Sequence, residues 1–280
     1  MFKEDFSLSK VNIGRLLKTI SRSIKKSYFY LAAEVPYSLT SDLIRIEDAD
    51  IEKFLKNRGR DLKDIILLDA KIRFCDDVLD NKMSRMRPKP ISSMKKYISS
   101  FEKEVPEAHE VAKLFRKEIA ILSGKYSIEK MKLFIKELIE VRPSDFFLLV
   151  EKIILQFGTK LAPEDYAHSF EFYKNFQRLR DLLDDIMSIE EDVLKNDYNS
   201  IVVGKKAGIS YHFFEEIILE KLSLLKEEFR SIHKHPNKNL FSDTIFFWEE
   251  QYSLLFKRLL VDYYVNLDEF RKSYFLIKQV

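Results

Sequence analysis

Apolar residues recur at helical spacing along almost the whole chain, and this regularity constrains the fold more than any other feature. The 280 residues include only 6 Gly and 7 Pro, and these fall between the periodic segments. A chain so poor in turn-forming residues is a poor candidate for a β-sheet or loop-built protein. The sequence therefore predicts an all-α fold.

We expect roughly ten helices in a single domain that covers residues 1–280, because no repeat or linker divides the chain. The long helices are expected over residues 10–34, 61–86, 163–192, 210–232 and 240–278, with an irregular stretch over 41–57. Shorter helices are expected to end at Pro106, Gly124, Pro143 and Gly158. Pro163 suits the first turn of its helix, where no amide hydrogen is needed.

Charge and cysteine content narrow the classes of partner and compartment. Lys and Arg number 48 against 45 Asp and Glu, a net charge of +3, so we do not expect nucleic acid as a partner. The single cysteine excludes an internal disulfide and a thiolate zinc site. With no signal-like start and no apolar run long enough for a transmembrane segment, we expect a cytoplasmic protein.

The predicted helix over residues 61–86 carries a first cluster of aspartates, Asp76, Asp77 and Asp80. Residues three and four apart share one face of a helix, where like charges destabilise it. Aspartate is also a poorer helix former than glutamate. Short carboxylates grouped in this way are well suited to bind a hard cation such as Mg²⁺.

A second cluster, Asp181, Asp184 and Asp185, interrupts an otherwise apolar stretch and follows Arg180. If the two clusters faced each other across a cavity, as carboxylates do in helical-bundle metal sites, they could hold a diphosphate through several metal ions. A single acidic triplet is more often a salt-bridged surface, and only the pairing of two aspartate-only clusters favours the metal site.

At these residues the sequence resembles the class I isoprenoid synthase superfamily, whose all-helical members ionise prenyl diphosphates with two aspartate-rich motifs. Residues 76–85, DDVLDNKMSR, resemble the first motif of trans-prenyl diphosphate synthases. Residues 70–80 and 178–185 are similar to the two motifs of squalene and phytoene synthases. SRS at 21–23 and SYFYLAAEVP at 27–36 are similar to the diphosphate-contacting segment near that family's N-terminus.

The resemblance implies a helical bundle around a central cavity, in which a Mg²⁺-dependent enzyme acts on a prenyl diphosphate substrate. The catalytic residues that it implies are Asp76, Asp80, Asp181 and Asp185. More than one Mg²⁺ would be bound, by Asp76, Asp77, Asp80, Asp181, Asp184 and Asp185. Diphosphate would be bound by Arg73, Arg85 and Arg180. Lys205 is a further candidate for binding diphosphate, with a position in solvent as the alternative.

The cavity wall is expected to be aromatic, because aromatic faces stabilise a carbocation without trapping it. Aromatic residues make up 13% of the chain, which supports an aromatic wall in general without identifying any one residue of it. The candidates are Phe29, Tyr30, Phe74, Phe172, Phe176 and Tyr211. Cys75 is expected to be a small buried neighbour, and no histidine is assigned chemistry.

Three functions stay open at this point. The leading hypothesis is condensation of two prenyl chains, as in squalene and phytoene synthases. Chain elongation is disfavoured because the glycine-rich basic segment of chain-elongating synthases is missing. A terpene synthase acting on one prenyl diphosphate is the alternative, since NDYNS at 196–200 partly resembles a terpene cyclase motif, although Gly204 replaces its glutamate. A non-catalytic helical partner subunit is the third. The sequence leaves four points open: the chain length of the substrate, a peripheral membrane contact for product release, a homodimer, and a role for Ser21 or Arg22.

Overall fold

The computed structural model describes residues 63–79, 91–159, 161–195, 198–234, 238–252 and 256–271. Nearly all of these residues are helical, and no strand occurs among them, which confirms the all-α prediction. The described α-helices are α1 Lys63–Leu79, α2 Ile91–Glu104, α3 His109–Ser123, α4 Ile128–Val141, α5 Ser144–Phe157, α6 Pro163–Met187, α7 Ile189–Lys195, α8 Ser200–Lys206, α9 Tyr211–Ser231, α10 Lys238–Gln251 and α11 Lys257–Val265.

The described helices form two compact units that interleave along the chain. Helices α1, α2, α3 and α5 belong to the first unit, and α4 with α6 to α11 to the second. The prediction of one domain over residues 1–280 stays a prediction. The expected helix over residues 10–34 and the stretch over 41–57 lie outside the described residues.

Proline and glycine end the shorter helices where the sequence predicts it. Helix α2 ends before a short 3₁₀ turn, Pro106–Ala108, and α3 ends immediately before Gly124. Helix α5 ends before Gly158, whose φ of 82° lies in the left-handed region that favours glycine. These boundaries are confirmed because the breakers act through backbone geometry alone.

The first unit is held together by apolar faces of its four helices. Helices α2 and α3 run antiparallel across the 3₁₀ turn, and the rings of Phe101 and Phe115 meet edge to face at 6.1 Å. Helix α1 packs against α2, α3 and α5. Its buried side chains include Ile72 and Cys75, so the helix that carries the first aspartate cluster is anchored along its inner side.

The second unit is built on the antiparallel pair α6 and α9. Asp165, near the start of α6, accepts hydrogen bonds from the backbone amides that follow the end of α9, at 2.9 Å from His233 and 3.1 Å from Lys234. Further along, Arg178 of α6 and Lys221 of α9 both pair with Glu140 of α4. Aromatic side chains that are fully buried fill the space between the helices: Phe172, Tyr173, Phe214 and Phe241.

Two long helices predicted from the sequence are interrupted in the structure. The helix expected over residues 163–192 breaks at Ser188, whose φ of −107° and ψ of 3° are not helical. In the region of the helix expected over residues 240–278, α10 ends at Gln251 and α11 ends at Val265. Asn266 is extended there, and its side chain accepts a hydrogen bond from Glu269 N at 3.3 Å. The break at Asn266 occurs at a residue that caps the segment that follows, whereas Ser188 donates to the side chain of Asp192.

Candidate functional site

Asp76 and Asp77 of the first aspartate cluster lie in the last turn of α1, the helix that runs from Lys63 to Leu79. Asp76 is half-buried there. Asp77 belongs to the helix, but its side chain is outside the described set, and Asp80 and Arg85 lie beyond the described residues. Of the residues predicted for this motif, the structure therefore places Asp76 and Arg73.

Arg73 is held by a buried carboxylate that the sequence analysis did not single out. Its Nε donates to Asp69 Oδ2 at 2.8 Å, and Asp69 is only 1% exposed. Residues 69, 73 and 76 are spaced by four and three, which places them on one face of α1. The four-residue spacing of Asp69 and Arg73 was the sequence signal that could have indicated their pairing. The pairing holds Arg73 on the same face of α1 as Asp76.

Asp145, in the first turn of α5, adds a second acidic group beside Arg73. Burial raises the pKa of this carboxyl, and the nearby charge of Asp69 raises it further. The amide of Phe146, which donates to Asp145 Oδ1 at 2.7 Å, and the charge of Arg73 oppose that rise. The face of α1 therefore meets a carboxyl that is harder to ionise than usual.

Cys75, next to the first cluster, is inert in this setting. Its side chain is fully buried, and that burial, with the negative charge of Asp76, raises the pKa of the thiol. A thiolate is the nucleophilic form of cysteine. The position fits the expected role of a small buried neighbour.

The second aspartate cluster lies in the last two turns of α6, and its three carboxylates have different surroundings. Asp181 is half-buried and accepts a hydrogen bond from Gln177 Nε2 at 2.9 Å. Asp184 is exposed, as is Arg180, whereas Asp185 is 1% exposed. The helical spacing that groups these residues in sequence does not give them the same contacts.

Asp185 forms an ion pair through one carboxylate oxygen and accepts a hydrogen bond through the other. Arg142, which follows α4, places Nη1 2.7 Å from Asp185 Oδ1. The amide of Ser200, the first residue of α8, donates to Asp185 Oδ2 at 3.0 Å. Both carboxylate oxygens are thus engaged in contacts that join three helices.

Asn199 completes this network from the loop before α8 and is fully buried. Its Nδ2 donates to the backbone oxygen of Asp185 at 2.7 Å and to Asp192 Oδ2 at 2.8 Å. Its Oδ1 accepts from Val202 N at 3.1 Å, which caps α8. Ser188 also donates to Asp192, so the break between α6 and α7 is fixed by side chains.

The charges around Asp184 compete with one another. Partial desolvation raises the pKa of its carboxyl, although the residue is exposed. Arg142 lowers that pKa and Arg180 does so more weakly, whereas Asp185 and Asp192 raise it. Asp184 is therefore an accessible carboxyl in a crowded acidic setting.

Arg142 and Asn199 belong to the network but were missed by the sequence analysis. Arg142 is 43 positions before Asp185, and nothing in its local sequence indicates the pairing. Asn199 lies within NDYNS, the segment noted for its partial resemblance to a terpene cyclase motif. That resemblance was the signal that could have led to it.

Lys205, predicted to bind diphosphate, is turned toward another part of the second unit. Its Nζ donates to the backbone oxygen of Tyr263 and lies 4.2 Å from the centre of that ring. Burial lowers the pKa of this ammonium. Lys205 lies in the last turn of α8, whereas the contact with Asp185 is made by the first residue of that helix.

The aromatic residues proposed for a cavity wall lie in packed clusters where the structure describes them. Phe172 is fully buried and stacks on Phe241 at 4.5 Å between ring centroids. Phe176 meets Trp248 at 5.8 Å, and Tyr211 meets Tyr264 at 6.2 Å. The other candidates are outside the described set: Phe29, Tyr30 and the side chain of Phe74.

The carboxylates have the right donor chemistry for Mg²⁺, and the fit can be judged from their contacts. Asp181 and Asp184 retain access to solvent, but the oxygens of Asp185 are bound by Arg142 and Ser200. Among the described residues, no three histidine, cysteine or acidic side chains lie close enough to hold a metal ion. The described part of the second cluster is thus an incomplete ligand set.

No protein-family model matches the chain, and no curated protein or solved structure is significantly similar to it. None of the described helices combines the length and the apolar character needed to cross a bilayer.

Proposed function

We propose that this chain is a Mg²⁺-dependent isoprenoid synthase that ionises a prenyl diphosphate, with a condensation of the squalene and phytoene synthase type. The observation that carries the proposal is common to both aspartate motifs. Near each motif a buried aspartate pairs with an arginine: Asp69, seven positions before the first cluster, with Arg73, and Asp185, within the second cluster, with Arg142. Beside each pair, an aspartate of the motif remains accessible.

This arrangement suits a reaction in which a diphosphate leaves and negative charge develops on its oxygens. Preorganised charges stabilise such a leaving group because they need no rearrangement as the bond breaks. Asp76, Asp181 and Asp184 are proposed as Mg²⁺ ligands, and Arg73 and Arg180 as diphosphate-binding residues. Bound Mg²⁺ would neutralise charge on the diphosphate.

One observation favours a second candidate, the non-catalytic helical subunit. The contacts of Asp185 with Arg142 and Ser200 give that carboxylate a structural role that needs no ligand. Under this second proposal the aspartates join helices and form a charged surface. The two proposals differ in whether the chain releases diphosphate.

The test is an assay of diphosphate release from farnesyl and geranylgeranyl diphosphate with Mg²⁺, combined with analysis of the extracted products. Asp76→Asn and Asp181→Asn should each reduce release by about 100-fold, the scale of losing one preorganised electrostatic group. Asp64→Asn and Glu164→Gln are the controls. They change exposed acids in the first turns of the same two helices, α1 and α6, and should stay within about twofold of wild type.

The outcomes separate the candidates. Two-chain products support condensation, whereas single-chain hydrocarbons or alcohols support the terpene synthase alternative. A folded wild-type chain that releases no diphosphate from either substrate would overturn the enzymatic proposal and leave the partner subunit. Release that survives both substitutions would place the chemistry outside these motifs.

A further inference from the structure

Arg142 lies outside both aspartate motifs in sequence, yet its guanidinium faces the second one. Its backbone amide donates to the Leu138 oxygen at 2.9 Å, which fixes the residue at the end of α4. From there Nη1 reaches to 2.7 Å from Asp185 Oδ1. The arginine side chain is 22% exposed and that of Asp185 is 1% exposed, so the pair is largely shielded from water.

The contact on the opposite oxygen makes the orientation of Asp185 specific. Because Ser200 N donates to Oδ2 while Arg142 approaches Oδ1, the carboxylate cannot rotate without losing one of the two. Successive residues of a helix are separated by about 100° around its axis. Fixing Asp185 inward therefore turns Asp184 outward, where it is exposed.

Arg142 also supplies positive charge where three carboxylates gather. Asp184 experiences the negative charges of Asp185 and Asp192, and Arg142 is the largest favourable charge acting on it. Without this arginine, repulsion among the carboxylates would favour other side-chain directions. The same group therefore orients one aspartate and stabilises the charge of its neighbour.

We infer that Arg142 is a positioning residue for the second aspartate motif. Through Asp185 it sets the direction in which Asp184 would present its carboxylate to the magnesium and diphosphate of the substrate complex. This inference rests on the proposed function. It assigns a role in the reaction to a residue that is remote from the motif in sequence.

The experiment compares Arg142→Met and Arg142→Lys in the diphosphate-release assay with farnesyl diphosphate and Mg²⁺. Arg142→Met should lower kcat by about 10- to 100-fold and change KM by less than about threefold, since misplaced groups slow the chemical step. Arg142→Lys keeps the charge but not the planar guanidinium, and should recover part of the loss. Arg116→Met, which breaks an arginine–glutamate pair with Glu102 in the first unit, is the control for loss of an ion pair alone.

The double variant Arg142→Met with Asp185→Asn tests whether the two residues act together. If Arg142 acts through Asp185, kcat of the double variant should be no lower than that of the more impaired single variant. Multiplied losses would overturn the inference. If Arg142→Met fails to fold, the kcat of Arg142→Lys alone tests the inference. We then expect a fall in kcat of about three- to tenfold relative to wild type.

Two kinds of failure remain distinguishable. Circular dichroism measures the folded fraction of each variant, so that kcat can be expressed per folded molecule. If wild type releases diphosphate and the Arg142 variants have the same kcat, the inference is wrong and the proposed function stands. If wild type releases none, the proposed function fails and the inference fails with it.

Discussion

Replacing Asp185 with asparagine removes a charge from the most buried carboxylate of the second cluster. Asparagine keeps an oxygen that can accept the hydrogen bond from Ser200 N, now at 3.0 Å from Oδ2. It cannot neutralise Arg142, whose Nη1 lies 2.7 Å from the lost carboxylate. The substitution therefore isolates the ionic part of the contact.

The magnitude follows from the burial of the two partners. Breaking a buried ion pair costs about 3–5 kcal/mol, because one charge is left without compensation. Arg142 is 22% exposed, so water can partly solvate it once the partner is gone. We therefore expect the free energy of unfolding to fall by about 2–4 kcal/mol. At about 2 °C per kcal/mol for a chain of this size, Tm should fall by about 4–8 °C.

The matched control is Asp184→Asn, one position earlier on the same helix. Asp184 is exposed and its carboxyl pKa is raised, so removal of its charge should change stability by less than about 0.5 kcal/mol. Thermal unfolding followed by circular dichroism and urea unfolding at pH 7 measure both variants. A Tm of Asp185→Asn within about 1 °C of wild type, or an equal loss in Asp184→Asn, would refute the division of roles.

Two further predictions concern other parts of the fold. Hydrogen bonds, chiefly from Arg116, lower the pKa of Glu102 to about 2, so its ionised form stabilises the folded state above the ordinary value of 4.5. That contribution is lost as the pH falls toward 2. Glu102→Gln should therefore lower Tm at pH 7, and the difference from wild type should close in acid; a difference independent of pH would contradict this. A Cβ at Gly204 would lie 2.5 Å from Cζ of the fully buried Phe214. Gly204→Ala should thus destabilise the protein by about 1–3 kcal/mol despite alanine's better helix propensity, whereas an unchanged Tm would show that the ring can move.

The helical fold of the described residues was predictable because it depends on local features. Apolar periodicity and the positions of Pro106, Gly124 and Gly158 define helices whatever their neighbours are. The break at Ser188 also had a local signal, since Ser188 and Glu191 have the spacing of a capping box. The long apolar pattern on both sides concealed it.

The contacts of the site were less predictable, because burial depends on packing between distant segments. Spacing alone placed Asp181, Asp184 and Asp185 together, but it could not tell which of them faces the interior. The partner that decides this is Arg142. In the sequence it is separated from Asp185 by all of α5 and most of α6. The role of Asn199 likewise depends on how its loop meets the end of α6.

Each of the two helices that carry the aspartate clusters also holds an arginine with a buried aspartate, which explains why aspartate is used there although glutamate would make a better helix. A short side chain has few rotatable bonds, so a buried aspartate can hold an arginine in one orientation at little entropic cost. Asp69 does this within α1, at 2.8 Å from Arg73 Nε, and Asp185 does it between helices, at 2.7 Å from Arg142 Nη1. Glutamate at either place would carry its carboxylate one methylene further and displace the arginine. Asp69→Glu and Asp185→Glu keep the charge, so a loss of stability in both would show that these sites select side-chain length as well as charge.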